Sequence, residues 1–500
     1  MPFGTSAIRA AAFAAGFACI SGCAAGPPRV NGVAGAPPSP STPWKAPAGA
    51  VKAEARIENA KTAAIPADIE QRIRQLTLVD VVDLALRNNP ATRASWAQAR
   101  ASADLFGSAR GAYYPTVNGS ATLARTKSPN TNARAGGLST QYGPAISLNY
   151  LLFDFGGRSG SVETSRQQLF AANLTHNATL QNTVLQAESA YFTYMATSAL
   201  LAAERSAIAE AQANLTAAQQ RNRVGLATIA DVLQARTALS QEQLNLETTQ
   251  GNLQAARGGL ASALGLPANL PFDLEPLGDS IPVRAVALSV DSVINAALQN
   301  RPDLAAARAE AAAAAAQIRV ARSALFPSLT LGSNAARTYS QPQLFAGPSY
   351  GVSLGLSIPI FNGFSRQYQL AAARAQADAF AALADQTRQQ VITQVFVSYY
   401  QLQTAGQRVA TADDLLTSAL ESVKVAAGRY REGVGSIIDL LTAQTALANA
   451  RAQQVQSRWQ WYTSLAQLAR DAGVLGVRGD APLLFSSDSS TVTPPSRGVR

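Results

Sequence analysis

Residues 351–360, GVSLGLSIPI, alternate strictly: Val352, Leu354, Leu356, Ile358 and Ile360 face one way, and Ser353, Gly355, Ser357 and Pro359 the other. A period of two is that of a strand with one apolar face. Ile146, Leu148, Tyr150 and Leu152 repeat the pattern, with Ser147 and Asn149 opposite them. Together with residues 116–124 and 328–334, these segments predict four strands in two hairpins. Most of the remaining chain is helical. Residues 161–222 form a run of 62 positions without Gly or Pro, which as one helix would extend roughly 93 Å at 1.5 Å per residue. Residues 365–427 contain only Gly406 and no proline. A further helix is predicted over about residues 76–112, ending before the proline of Tyr113-Tyr114-Pro115. Helices this long bury surface against one another rather than inside a globule.

The pattern is written twice. LALRNNP ends at Pro90 and AALQNRP at Pro302, and Tyr113-Tyr114-Pro115 matches Leu325-Phe326-Pro327, both at an offset of 212. Phe153-Asp154 matches Phe361-Asn362, Arg158 matches Arg366, Gly225 matches Gly433 and Asp231 matches Asp439, all at 208. Each unit reads as helix, hairpin, long helix, glycine break and second helix.

The breaks carry the same punctuation, RVGLATIADVLQAR at 223–236 and REGVGSIIDLLTAQ at 431–444. Gly225 and Gly433 supply the backbone freedom for a turn. Thr228-x-x-Asp231 and Ser436-x-x-Asp439 fit the capping box that starts the returning helix. Leu226, Ile229 and Leu233, and their counterparts Val434, Ile437 and Leu441, are expected to pack one face of each hairpin.

Four strands do not close a barrel, and an open edge in lipid leaves backbone groups unpaired at several kcal/mol each. With one apolar face and one small or polar face, these strands carry the signature of a transmembrane β-barrel. The chain must therefore pool strands with copies of itself, as two subunits giving eight strands or three giving twelve.

The N-terminus reads as an address. Arg9 precedes an apolar run of eleven residues, Ala10 to Ile20, too short for a bilayer core that needs about 20 residues but fitting a signal peptide. It ends in Ile20-Ser21-Gly22-Cys23, which resembles a bacterial lipobox, so Cys23 is the expected lipidation site. Ala24, rather than aspartate, follows and leans towards the outer membrane. The expected layout is a signal peptide over 1–22, a lipidated tether over 23–70, repeats over 71–267 and 288–476 with a linker over 268–287, and a tail over 477–500.

Composition removes other classes. The formal charge of +10 is dispersed, with no basic run of the kind that binds nucleic acid. Only 14% of residues are charged. Cys19 and Cys23 are the only cysteines and His176 the only histidine, so neither a disulfide framework nor a metal site is expected, and no cofactor. No nucleophile elbow, zinc-protease motif, phosphate loop or dinucleotide fingerprint is present, and the chain does not read as an enzyme. A periplasmic coiled-coil spacer or adaptor is the other alternative; the four alternating strands speak against it.

The duplication, the YYP and LFP helix ends, the FDFGGR and FNGFSR segments and the two glycine-broken turns jointly resemble the TolC-type outer-membrane efflux family, over about residues 76–476. The lipobox points to its lipoprotein branch. The resemblance implies a mainly α fold, a homotrimeric periplasmic α-barrel topped by a shared twelve-stranded β-barrel in outer-membrane lipid. It implies the exit duct of a tripartite system, with a periplasmic adaptor and an inner-membrane pump of RND, ABC or MFS type, exporting drugs or other small molecules. Type I protein secretion remains an alternative within the same family. The glycine breaks would be the periplasmic tips. Asp439 is then a gate residue, with Tyr430 and Asp231 as candidates for the contact holding the tip closed and Ile438 as an apolar plug. Capping is the competing account of both aspartates. Arg223, Val224, Gly225, Leu226 and Thr228 form the expected adaptor-docking tip, with a smaller share from Gly433, Val434 and Ser436. Thr442 stands where many relatives have a second aspartate, and Gly435 where some have an arginine.

Overall fold

The computed structural model describes residues 76–127, 138–270, 272–275, 289–341 and 345–475. Cys23, the signal peptide, the tether and the tail fall outside them.

The chain starts with α1 (Leu78–Asn88), capped by Thr77, whose hydroxyl accepts from Asp80 N while Asp80 accepts from Thr77 N. The single helix expected over 76–112 is in fact two. Pro90 has no amide proton to continue α1, and Asn89, extended at φ −62° and ψ 128°, caps α2 (Pro90–Gly111) instead. Two strands follow, β1 (Thr116–Lys127) and β2 (Leu138–Phe153), then the long α3 (Gly157–Arg223) and its return α4 (Ile229–Ala263). The second repeat gives α5 (Val290–Asn300), α6 (Pro302–Ser323), β3 (Ser328–Gln341), β4 (Phe345–Ser357), α7 (Ser365–Arg431) and α8 (Ile437–Asp471). Both long helices have 67 residues, about 100 Å each. β4 stops at Ser357, so Ile358 and Ile360, placed in the strand by their alternation, lie beyond it. Among the described residues no helix is long and apolar enough to cross a membrane.

The two hairpins join in one antiparallel sheet in the order β1-β2-β3-β4. The helices make a single layer. Near the sheet, α3 lies between α2 and α6, and α6 touches α7; towards the glycine turns, α3 lies between α4 and α8, and α8 touches α7. One layer of Ala-rich helices has no centre, so a large apolar cluster of the described residues sits where elements from both repeats converge. Val184 of α3, Val293 and Ala297 of α5, Val391 and Val395 of α7, and Trp461 and Leu468 of α8 meet there.

The FDFGGR and FNGFSR segments act as anchors. In each, a left-handed residue, Gly156 (φ 94°) or Phe364 (φ 62°), precedes the long helix. An arginine then returns to the end of the preceding helix: Arg158 donates to Ala112 O, and Arg366 donates to Ala324 O. The paired contacts explain why both repeats keep arginine at this point.

Candidate functional site

Sheet register divides the strand residues into two faces. Val117 pairs with Leu148, Leu148 with Ser333 and Ser333 with Val352; Leu123 pairs with Tyr142 and Tyr142 with Tyr339; Leu331 pairs with Leu354. This face is apolar and open: Leu123 is 76% exposed and Val352 77%. The opposite face carries Asn118, Ser120 and Thr122, then Ser147 and Asn149, Thr330, Gly332 and Asn334, and Ser349, Gly351 and Ser353. A soluble domain would cover the apolar face; here, among the described residues, nothing does. Apolar side out and uncharged polar side in is how a strand separates lipid from a water-filled lumen.

At the far end of the rods, both turns are Schellman motifs. Leu226 N donates to Arg221 O (2.8 Å) and Gly225 N to Asn222 O (3.0 Å), with Gly225 at φ 77°. Val434 N donates to Arg429 O (3.0 Å) and Gly433 N to Tyr430 O (3.2 Å), with Gly433 at φ 78°. Both capping boxes form. Thr228 N donates to Asp231 Oδ2 (2.8 Å) and Asp231 N to Thr228 Oγ1 (3.3 Å); Ser436 N donates to Asp439 Oδ2 (3.3 Å) and Asp439 N to Ser436 Oγ (3.2 Å).

The two tips differ in packing. α8 is flanked by α7 and α3, whereas α4 rests mainly on α3. Ile437, Leu440 and Tyr430 are therefore buried with Leu215, Ala218 and Leu239, with Leu441 half-buried beside them. Leu226, Ile229 and Leu233, expected to pack the first hairpin, are instead exposed, as are Val224, Val434 and Ile438. Among the described residues nothing covers them, which leaves them to a second copy or a partner.

Arg221, which the sequence reading missed, joins the two hairpins. Its Nη1 donates to Tyr430 O (3.0 Å) and Arg431 O (3.2 Å), and its guanidinium lies 4.8 Å from the Tyr430 ring centroid. The Tyr430 hydroxyl has no hydrogen-bond partner among the described residues. Burial raises the Tyr430 pKa, opposed by Arg221 and reinforced by Asp231. Asp231 thus faces Tyr430 electrostatically, while its own hydrogen bonds are spent on the cap. Arg223 and Asp439 are exposed. Gly435 has a packing reason: a Cβ there would lie 2.9 Å from Arg429 Cβ and 3.2 Å from its carbonyl carbon.

Midway along the rods, the repeats diverge. In the first, Asn89 Nδ2 donates to Ala263 O (3.2 Å). At the corresponding place in the second, Arg301 is 3% exposed and donates to Gln394 Oε1 (2.6 Å) and Asp303 Oδ1 (3.0 Å), with Asp471 3.7 Å away. Glu188 is also buried, 5% exposed, with no hydrogen-bond partner among the described residues, and desolvation raises its pKa to about 7. His176 shares a hydrogen bond with Ser95 Oγ (2.8 Å).

Residues 81–266 and 293–474 match the profile of the family described as outer membrane efflux protein. Protein CyaE of Bordetella pertussis is 33% identical over 425 residues, covering 83% of this chain and 88% of its own length. The toluene efflux pump outer membrane protein TtgC of Pseudomonas putida is 28% identical over 81% of this chain and 82% of its own. The outer membrane protein VceC of Vibrio cholerae shares the fold at a TM-score of 0.72 and 19% identity, over 79% of this chain and 96% of that one.

Proposed function

The chain belongs to the outer membrane efflux protein family, and on that premise we propose that it is the outer-membrane exit duct of a tripartite pump. The observation that carries this reading is the sheet with one exposed apolar face and one uncharged polar face, continuous with helices of 67 residues. Among the described residues both layers end in open edges, β1 and β4 in the sheet, and α7 on one side with α2 and α4 on the other in the helices. Unpaired strand edges are untenable in lipid. Three copies joining β1 to β4 would close twelve strands, and their helices would continue the tube into the periplasm. Cargo would be small organic molecules, handed over by a periplasmic adaptor and an inner-membrane pump.

In this arrangement the turns at Gly225 and Gly433 are the periplasmic end. Three Asp439 carboxylates converge near the axis, where they focus negative potential, above Ile438 as an apolar constriction. The exposed Val224 and Leu226, rimmed by Arg223 and Thr228, meet the adaptor, with a smaller part for Gly433, Val434 and Ser436. Cys23 is the acylated first residue of the mature chain, which the layout of signal peptide, tether, two repeats and tail places before the barrel.

The test is efflux in a strain lacking its own duct. Wild-type protein should restore resistance and cross-link as a trimer. Leu226→Asp should reach the outer membrane as trimer in normal amount yet lose efflux and adaptor cross-linking. Normal transport by Leu226→Asp removes the tip from the docking surface. An unmodified mature N-terminus away from Cys23, by mass spectrometry, removes the lipid anchor.

A further inference from the structure

The sheet and its connections carry charge of one sign only. Across residues 116–153 and 328–357 the sequence contains no Asp or Glu. Three of its basic residues, Arg125, Lys127 and Arg337, belong to described strands, and register places all three on the apolar face. Arg125 pairs with Thr140 and Lys127 with Leu138, on the face of Leu123 and Tyr142; Arg337 pairs with Pro348, on the face of Tyr339 and Tyr350. None forms an ion pair among the described residues.

Their height along the strands is as informative as their face. Leu329 to Tyr339 spans ten residues of β3, which at 3.3 Å per residue and a tilt of about 45° covers roughly 25 Å, the height of the apolar band of a membrane barrel. Tyr142 and Tyr339 stack at the far limit of that band, with ring centroids 5.3 Å apart and planes at 17°. Arg125 and Lys127 stand two and four residues beyond Leu123, the strand partner of Tyr142. Arg337 lies one rung inside, and its guanidinium sits 5.7 Å from the Tyr339 ring centroid, so its charge extends towards the aromatic limit. Cations on a lipid-facing surface are costly at mid-membrane and tolerated at the interface. Here they collect at the end remote from the helices, beside aromatic rings, with no carboxylate on the strands to neutralise them.

We propose that Arg125, Lys127 and Arg337, with the Tyr142–Tyr339 pair, form a site on the outer rim of the barrel for the phosphate groups of an outer-leaflet lipid. The inference rests on the reading of the apolar face as lipid-facing. Guanidinium groups bind phosphate through paired N–H donors, and the tyrosine pair supplies a flat apolar wall for the adjoining acyl region. The opposite, lumenal face carries no charged residue among the described positions, so these cations act on lipid rather than on cargo.

The test uses full-length protein purified in neutral detergent and titrated with diphosphorylated lipid A and with its dephosphorylated form. Wild type should prefer the phosphorylated lipid, and the preference should shrink as salt rises. The triple variant Arg125→Gln/Lys127→Gln/Arg337→Gln should lose it by about fivefold per charge removed, while the double variant Arg125→Lys/Arg337→Lys, which leaves Lys127 in place and keeps all three charges, should retain most of it. Equal binding of both lipids by wild type, or unchanged binding by the glutamine variant, overturns the proposal. Insertion into phosphatidylcholine vesicles and single-channel recording separate it from the reading beneath it. If the wild type inserts and conducts, the barrel stands whatever the lipid result. If it does not, both fall together. A reversal potential that shifts in the glutamine variant would put the charges in the lumen and also overturn the proposal.

Discussion

Arg221 Nη1 donates to Tyr430 O at 3.0 Å while the guanidinium lies 4.8 Å from the centroid of the same tyrosine's ring. This pair ties the end of α3 to the end of α7, the place where the two repeats must separate if the tip is to widen. The contact uses the backbone and ring of Tyr430 and leaves its hydroxyl without a partner. Tyr430→Phe should therefore leave tip stability and basal conductance within error of wild type. Arg221→Lys keeps the charge but loses the planar fork, and should raise the open fraction in planar bilayers. Equal conductance in wild type and Arg221→Lys would show that the clamp does not restrain the tip.

The caps and the proposed gate can be told apart at Asp439. Its carboxylate accepts from Ser436 N at 3.3 Å, and loss of a cap costs about 1 kcal/mol. Ser436→Ala should lower thermal stability by that order without altering ion preference. Asp439→Asn retains capping ability and should reduce cation selectivity at low salt. Unchanged selectivity in Asp439→Asn, with Ser436→Ala destabilised as expected, leaves capping as the complete role of the aspartate.

Glu188 makes stability depend on pH. Burial holds its pKa near 7, against about 4.3 for an unperturbed glutamate. Between those values the folded chain binds a proton that the unfolded chain has released, so stability falls as pH rises through this window. The loss approaches about 4 kcal/mol per chain above it. Glu188→Gln should flatten thermal stability between pH 4.5 and 7.5 and raise it at pH 8. A wild-type melting curve independent of pH over this range would refute the assignment.

The buried Arg301 network is the charged counterpart of the neutral Asn89–Ala263 contact. Asp471→Ala strands a buried guanidinium next to a single remaining carboxylate, Asp303, and should cost about 3 kcal/mol or more. Adding Arg301→Asn rebuilds the first repeat's chemistry in the second and should recover part of that loss. The readout is the midpoint of thermal unfolding for the single and double variants. A double variant less stable than the single one would show that the repeats are not interchangeable here.

Much of this molecule is legible in the chain because its elements are long and locally specified. The capping boxes and the glycine turns each depend on residues within six positions of one another, the rods on long runs almost free of Gly and Pro, and the duplication on the same local punctuation recurring at a nearly constant offset. Where reading failed, a local signal met a competing local one. Pro90 and Asn89 divide a helix that periodicity alone runs through, and Pro359 ends β4 before an alternation that continues to Ile360. Ile229 and Ile437 occupy equivalent positions with the same apolar character, yet one is exposed and the other buried.

That last difference marks the division. Sequence by itself determined which segments are helix or strand, which strand face is apolar, and where the chain turns, because backbone hydrogen bonding, capping and side-chain period act over one or two turns. Only the tertiary structure decided which equivalent positions stay equivalent. α8 lies between two long helices and α4 mainly against one, so identical punctuation yields a packed tip and an open one. Arg221 finds Tyr430 across 209 residues of chain, and Arg125 and Arg337 reach the same sheet face through strand register. Such pairings follow from the direction and neighbours of whole elements, which no local pattern encodes.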